Sequence, residues 1–122
     1  FLSLHRSEGF GRGIAEAGLL GLQVVSSAWG GNVDFCQGEQ FHLVPCTPSR
    51  IPSSAYAHAE GHIWGEPDVS IAAMQLLVAI HRADRPALVN VDSALKNLSI
   101  TTAGRRYREQ ILPPADTTSY NS

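Results

Sequence analysis

No stretch of this 122-residue chain approaches the roughly 20 consecutive apolar residues that a bilayer crossing needs, so no segment reads as a transmembrane helix. Charge of one sign is also missing. Nine basic against eleven acidic side chains give a formal charge of -2 and a pI near 6.2. With no broad positive field to hold a phosphate backbone, the balance argues against a nucleic-acid partner. Cysteine is scarce: Cys36 and Cys46 make a poor disulfide framework and read as free thiols in a reducing compartment. No secretory pattern stands at the start, because Phe1-Leu2-Ser3-Leu4 is too short for a signal core and has no basic flank. Neither a Ser-His-Asp order nor a phosphate loop of the G-x-x-x-x-G-K type is found. A starting methionine is lacking too, and the expectation is a piece of a longer polypeptide. What is present is a hydrophobic content of 43%, which suits a packed core and excludes a wholly disordered chain.

Along the chain, Phe1 to Leu4 reads as a short strand followed by a glycine-containing turn. Ile14 to Leu20 reads as a helix ending near Gly21, where glycine can take a positive φ. Gln23 to Ser26 is β-branched and predicts a second strand, and Phe41 to Val44 a third, stopped by Pro45. Strand, turn, helix, strand is a βαβ unit, the building block of parallel sheets. Thr47 to Glu66 turns to Pro, Ser, Ala, His and Gly and predicts a long connection without regular structure. Asp68 then caps a helix from Val69 to Arg82, with Ile71, Met74, Leu77 and Val78 as its expected core stripe. A further helix is expected from Pro86, through Leu88, Val91, Leu95 and Leu98. Thr101 to Leu112 forms the last, with Ala103, Tyr107 and Ile111 toward the core and Arg105, Arg106 and Arg108 solvated. Pro113-Pro114 ends it. The expected organisation is an α/β, partial Rossmann-like domain over residues 1–112 with a short parallel sheet and C-terminal helices, then a flexible tail over 113–122. An unpaired edge at Phe1 to Leu4 predicts self-association of the isolated piece, by strand or helix exchange.

The informative stretch is Glu8-Gly9-Phe10-Gly11, with Glu16 eight positions after Glu8. In open α/β sheets ligands sit outside the carboxyl ends of the strands, which is where this turn must lie. Gly9 and Gly11 allow a close backbone approach, and the helix beginning near Gly11 aims free N–H groups at an anion such as a diphosphate. Glu16 lies roughly 7 Å into that helix at 1.5 Å per residue. Two carboxylates flanking an anion site repel the phosphate, so they need hydroxyl-rich ligand parts to bind. A carboxylate can accept a pair of sugar hydroxyls at about 1.5–3 kcal/mol per bond. The competing reading has Glu8 as a helix cap and Glu16 as a surface residue. Elsewhere, His58 and His62 stand four apart but in a loop with no third metal ligand, so a solvated loop is the expectation. His5 can reach the crevice or bond the backbone, and Trp29 and Trp64 can stack on a ligand or fill gaps. Cys36 reads as a buried thiol, since no histidine is placed to activate it.

Ser3 to Ala17, with its Glu8…Glu16 spacing, resembles the E-x7-E segment of retaining GT-B glycosyltransferases of group 1, also called family 4. Leu20-Gly21-Leu22-Gln23-Val24-Val25 resembles that family's "ALGxPVV", and Ser27 to Phe35 is similar to its "xxYSGNxDF" loop. Trp64-Gly65-Glu66-Pro67-Asp68 resembles "WAEPD", and Gly104-Arg105-Arg106-Tyr107 the start of the closing helix. The matches run in order from residue 1 to about 112.

The resemblance implies the donor-binding part of an enzyme that moves a sugar from a nucleotide diphosphate to an acceptor hydroxyl with retention and without a metal. By position it makes Glu8 the catalytic-site glutamate that contacts donor-sugar hydroxyls, and Glu16 the acceptor of ribose hydroxyls. Gly9, Phe10, Gly11 and Arg12 fall in the substrate-binding turn that meets the diphosphate and sugar. The implied partners are a nucleotide sugar and, through an N-terminal domain, an acceptor glycan or lipid-linked sugar. The implied location is cytoplasmic, or peripheral to the inner face of a membrane. The family's Arg/Lys pair for the diphosphate normally lies upstream of the matched region, so the isolated piece is expected to be inactive. A non-catalytic sugar-nucleotide sensing or interaction module is the alternative expectation.

Overall fold

The computed structural model describes residues 1–83 and 98–111. The expected helix through Leu88, Val91 and Leu95, the Pro113-Pro114 stop and the tail lie outside the described residues. Three parallel strands form the central sheet in the order β1 (Leu2–Ser3), β2 (Val24–Ser27), β3 (Phe41–Val44). The register sets Leu2 opposite Val25, and Val24 opposite Phe41. All four residues of β2 are buried, because helices cover both faces of a parallel sheet and the middle strand meets water on neither.

Alternation along β2 separates two cores. Val24 joins Ile14, Ala15, Ala17, Phe35 and Phe41 beneath α1 (Arg12–Leu19), with Leu98 packed against the same cluster. Val25 joins Val44, Ala72 and Ala79 on the opposite face, beneath α2 (Val69–Ala83). Ile14, Val24, Val25 and Val44 are almost completely excluded from water, each contributing about 1.5–3 kcal/mol of hydrophobic stabilisation. α1 ends in a Schellman turn: Leu22 N–H donates to Ala17 O, Gly21 N–H to Gly18 O, and Gly21 has φ 74°. The expected glycine stop is therefore realised.

Three expectations need correction. The region from Thr47 to Glu66 is not structureless, since β4 (Cys46–Arg50) and β5 (Ile63–Pro67) pair as an antiparallel hairpin. Pro48 hides this strand in the sequence because proline brings no ladder donor. Gly65, opposite Pro48, sends its N–H outward to Arg6 O at 2.9 Å, so that position is a non-hydrogen-bonded pair and no donor is missed. Second, Met74, Leu77 and Val78 do not form the core stripe of α2. Ala72 and Ala79 face the sheet instead, and these three point outward. No charged residue occurs from Val69 to Ile80, so the apolar pattern runs round the helix and singles out no face. The Asp68 cap is present, with Ile71 N–H donating to Asp68 Oδ1 at 3.0 Å. Third, α3 (Ile100–Ile111) buries none of its residues, so Ala103, Tyr107 and Ile111 are not core. Ser99 caps it by accepting the N–H of Thr102 at 3.2 Å. No helix among the described residues is long and apolar enough to cross a membrane.

Candidate functional site

Parallel strands deliver their following loops to one edge, and three loops meet there. The turn after β1 runs from Leu4 to Gly11, the loop after β2 carries Trp29-Gly30-Gly31, and the β4–β5 hairpin follows β3. The first two interlock through backbone. Gly31 N–H donates to Glu8 O at 3.3 Å. Any Cβ on Gly30 would strike Glu8 O, and one on Gly31 would strike Gly9 O. Two successive glycines are what permit this contact, since backbone lies where side chains would go. In the sequence the pair had no assigned role.

Asn32, at the start of the 3-10 turn Gly31–Asp34, is fully buried and donates through Nδ2 to Ser27 O at 2.8 Å. Its Cβ packs 3.0 Å from where a Cβ on Gly11 would be. Gly11 itself has φ 87° and forms the N-cap of α1. Its freedom therefore serves the turn and the packing of Asn32. Gly9 differs, because a Cβ built there meets nothing within 4 Å.

α1 begins without a side-chain cap and without an acidic residue in its first turn. Ala15 N–H donates to Gly11 O at 2.9 Å and opens the helical ladder. The N–H groups of Arg12, Gly13 and Ile14 precede that first bond, and a helix start of this kind carries a partial positive charge. Glu8 is half-buried in the loop just before it and does not cap it. Glu16 is exposed on the outer side of α1, paired with Arg12 at 3.3 Å. Both partners are mostly in water, and an i,i+4 pair of that type contributes only about 0.3–0.5 kcal/mol, so a ligand can readily displace it. Phe10 is half-exposed with its ring 5.2 Å from that of the buried Phe35. The structure thus sets Gly9, Phe10, Gly11 and Arg12 around the start of α1, Glu8 before it and Glu16 one turn further on.

The hairpin braces the same loop from the other side. Arg6 binds Glu66 in a two-pronged ion pair, Nε to Oε2 at 2.6 Å and the terminal nitrogen to Oε1 at 2.8 Å. That bond raises the Arg6 pKa and lowers that of Glu66. The Arg6 guanidinium also lies 4.9 Å from the Trp64 ring centroid, within cation–π range. Trp29 lies against Gly65, occupying the space a side chain would need. His5 shares a hydrogen bond of 2.7 Å with Trp29 O, the backbone reading of that histidine. Cys36 is a buried free thiol, its pKa pushed up by burial. Sequence alone does not pair Arg6 with Glu66, because 60 residues separate them and Pro48 obscures the hairpin that brings them together. No group of three or more His, Cys, Asp or Glu able to hold a metal ion occurs among the described residues.

Comparison of the chain with protein-family models, with curated proteins and with solved structures finds no match.

Proposed function

We propose that the chain is the donor-binding part of a retaining GT-B glycosyltransferase, a partial Rossmann-like unit that takes a nucleotide-diphosphate sugar. One observation carries this reading: the turn from Leu4 to Gly11 leads from the carboxyl end of β1 to the uncapped start of α1, with Glu8 ahead of that start and Glu16 exposed beyond it. Helix N–H groups and the macrodipole suit a diphosphate, and the space beside Gly9 admits it to the backbone. Glu16 would exchange Arg12 for the two ribose hydroxyls, while Glu8 would accept hydroxyls of the sugar. In sugar transfer the glycosyl–phosphate bond breaks through an oxocarbenium-like state, with negative charge growing on the diphosphate. Prearranged N–H donors stabilise that charge, and Glu8 places negative potential near the developing cation. The resemblance of Ser3–Ala17, Ser27–Phe35 and Trp64–Asp68 to the family supports the same roles.

Calorimetric titration of the chain with uridine, guanosine and adenosine diphosphates tests the reading. At least one should bind, and Glu16→Ala should weaken it tenfold or more, about 1.4 kcal/mol. Failure of all three to bind, or equal affinity for Glu16→Ala with every nucleotide that binds, refutes the donor role.

A further inference from the structure

The connection between β4 and β5 is a folded loop. Residues 51–62, at the tip of the β4–β5 hairpin, close on themselves through Ile51 N–H to His62 O at 3.1 Å and His62 N–H to Ala59 O at 3.2 Å. Ile51 and Ala59 are buried beneath the loop. Compact surface loops whose ends meet and whose own side chains pack them are frequently functional.

This loop frames a hollow of about 540 Å³, open to solvent, lined by Ser53, Tyr56, His58, Glu60 and His62, all exposed, with Ala57 and the buried Ala59. That volume is within the range of small-molecule sites. His58 has φ 64°, a left-handed conformation uncommon outside glycine, and such residues gather at functional sites. The lining contains no lysine or arginine, so nothing in it attracts a phosphate or a carboxylate. It contains no leucine, isoleucine, valine or methionine either, so it offers no wall to an acyl chain. One phenol ring, a hydroxyl, a carboxylate and two imidazoles remain. An aromatic face with flanking acceptors and donors suits a ring that is apolar on its faces and hydroxylated at its rim.

We propose that this hollow binds an uncharged, hydroxyl-rich ring, such as a hexose unit of a saccharide. Tyr56 packs against the ring face, Glu60 accepts a pair of hydroxyls, and Ser53, His58 and His62 complete the rim. The site is separate from the loop at the start of α1 and does not rest on the donor reading.

The test is a backbone-amide NMR titration of the whole chain with glucose, maltose and N-acetylglucosamine. At least one sugar should shift amides of residues 53–62 saturably in the millimolar range. Tyr56→Ala should weaken that sugar about 3- to 10-fold, Glu60→Gln about tenfold or more, and Tyr56→Phe little. Should Tyr56→Ala fail to fold, Glu60→Gln and the wild-type shift map decide. The proposal is overturned if no sugar shifts these amides, or if Glu60→Gln and a folded Tyr56→Ala titrate like the wild type. Shifts at His58 and His62 with zinc but with none of the sugars would also overturn it, in favour of a small cation. Nucleotide diphosphates shift a different region, around Gly9–Ile14, so the same spectra show which proposal has failed.

Discussion

Gly9 and Gly31 face each other across the interlocked loops, yet replacing each by alanine should have very different consequences. A methyl on Gly31 runs into Gly9 O and sits 3.3 Å from Phe10 Cα. Those are backbone atoms, which cannot swing aside like the end of a long side chain. The loops must part, and overpacking of this kind costs about 1–3 kcal/mol. Against it stands a gain of only about 0.4–1 kcal/mol from the stiffer unfolded chain, so the net sign is destabilising. A methyl on Gly9 meets open space, so the unfolded-chain gain of about 0.4–1 kcal/mol stands alone and the variant should be slightly more stable than wild type. Urea denaturation followed by tryptophan fluorescence separates the two, since Trp29 and Trp64 both report on this end of the sheet. With a slope of about 1–3 kcal/mol per molar, Gly31→Ala should lower the midpoint by roughly 0.5–1.5 M and Gly9→Ala should hold or slightly raise it. Equal midpoints for the two variants would refute the interlocked arrangement.

The pH dependence of folding should carry the mark of His42. Burial, with Arg82 nearby, holds its pKa below the usual imidazole value of about 6.5, against the opposing effect of a hydrogen bond that its ring donates to Gln75. The unfolded chain takes up this proton at a higher pH than the folded one. Its contribution is therefore fully present above about pH 6.5 and is lost as pH falls toward the lower folded value. His42→Gln should flatten that part of the melting-temperature profile, and an unchanged slope would count against it. Gly104 lies inside α3 with open space around it, so Gly104→Ala should raise helicity by circular dichroism and stabilise the helix by about 0.8–1 kcal/mol.

The parallel sheet was legible because β2 and β3 are short β-branched or aromatic runs bounded by turn residues. The stop of α1 was legible because Gly21 supplies a positive φ that few other residues take. The hairpin was not, because its strand carries Pro48, and the outward course of Gly65 N–H that makes proline harmless is a tertiary fact. The buried face of α2 was hidden by excess: with no charge over Val69–Ile80, periodicity cannot choose between Ala72 and Ala79 on one side and Met74 and Leu77 on the other. At the candidate site, the spacing of Glu8 and Glu16 fits a cap and a surface residue equally well, and only the resemblance of Ser3–Ala17 singles the two out. The Gly30–Gly31 interlock could be recognised only as part of a neighbouring loop, because its cause is contact with Glu8 and Gly9, each 22 residues away.

The loop after β1 is pinned at intervals. Arg6 O accepts from Gly65, Glu8 O accepts from Gly31, and Gly11 is wedged against Asn32. Between these anchors Ser7, Gly9 and Phe10 remain open to solvent. A segment held at residues 6, 8 and 11 has little freedom to close as a lid, and a ligand would meet it already arranged. Prearrangement of that kind favours a site whose N–H donors must be in place before charge develops, since their ordering cost is met during folding. The hairpin matters to the site because it braces this loop. Arg6 and Glu66 tie the loop's first anchor to β5, so loosening that tie should disturb the start of α1 without touching it.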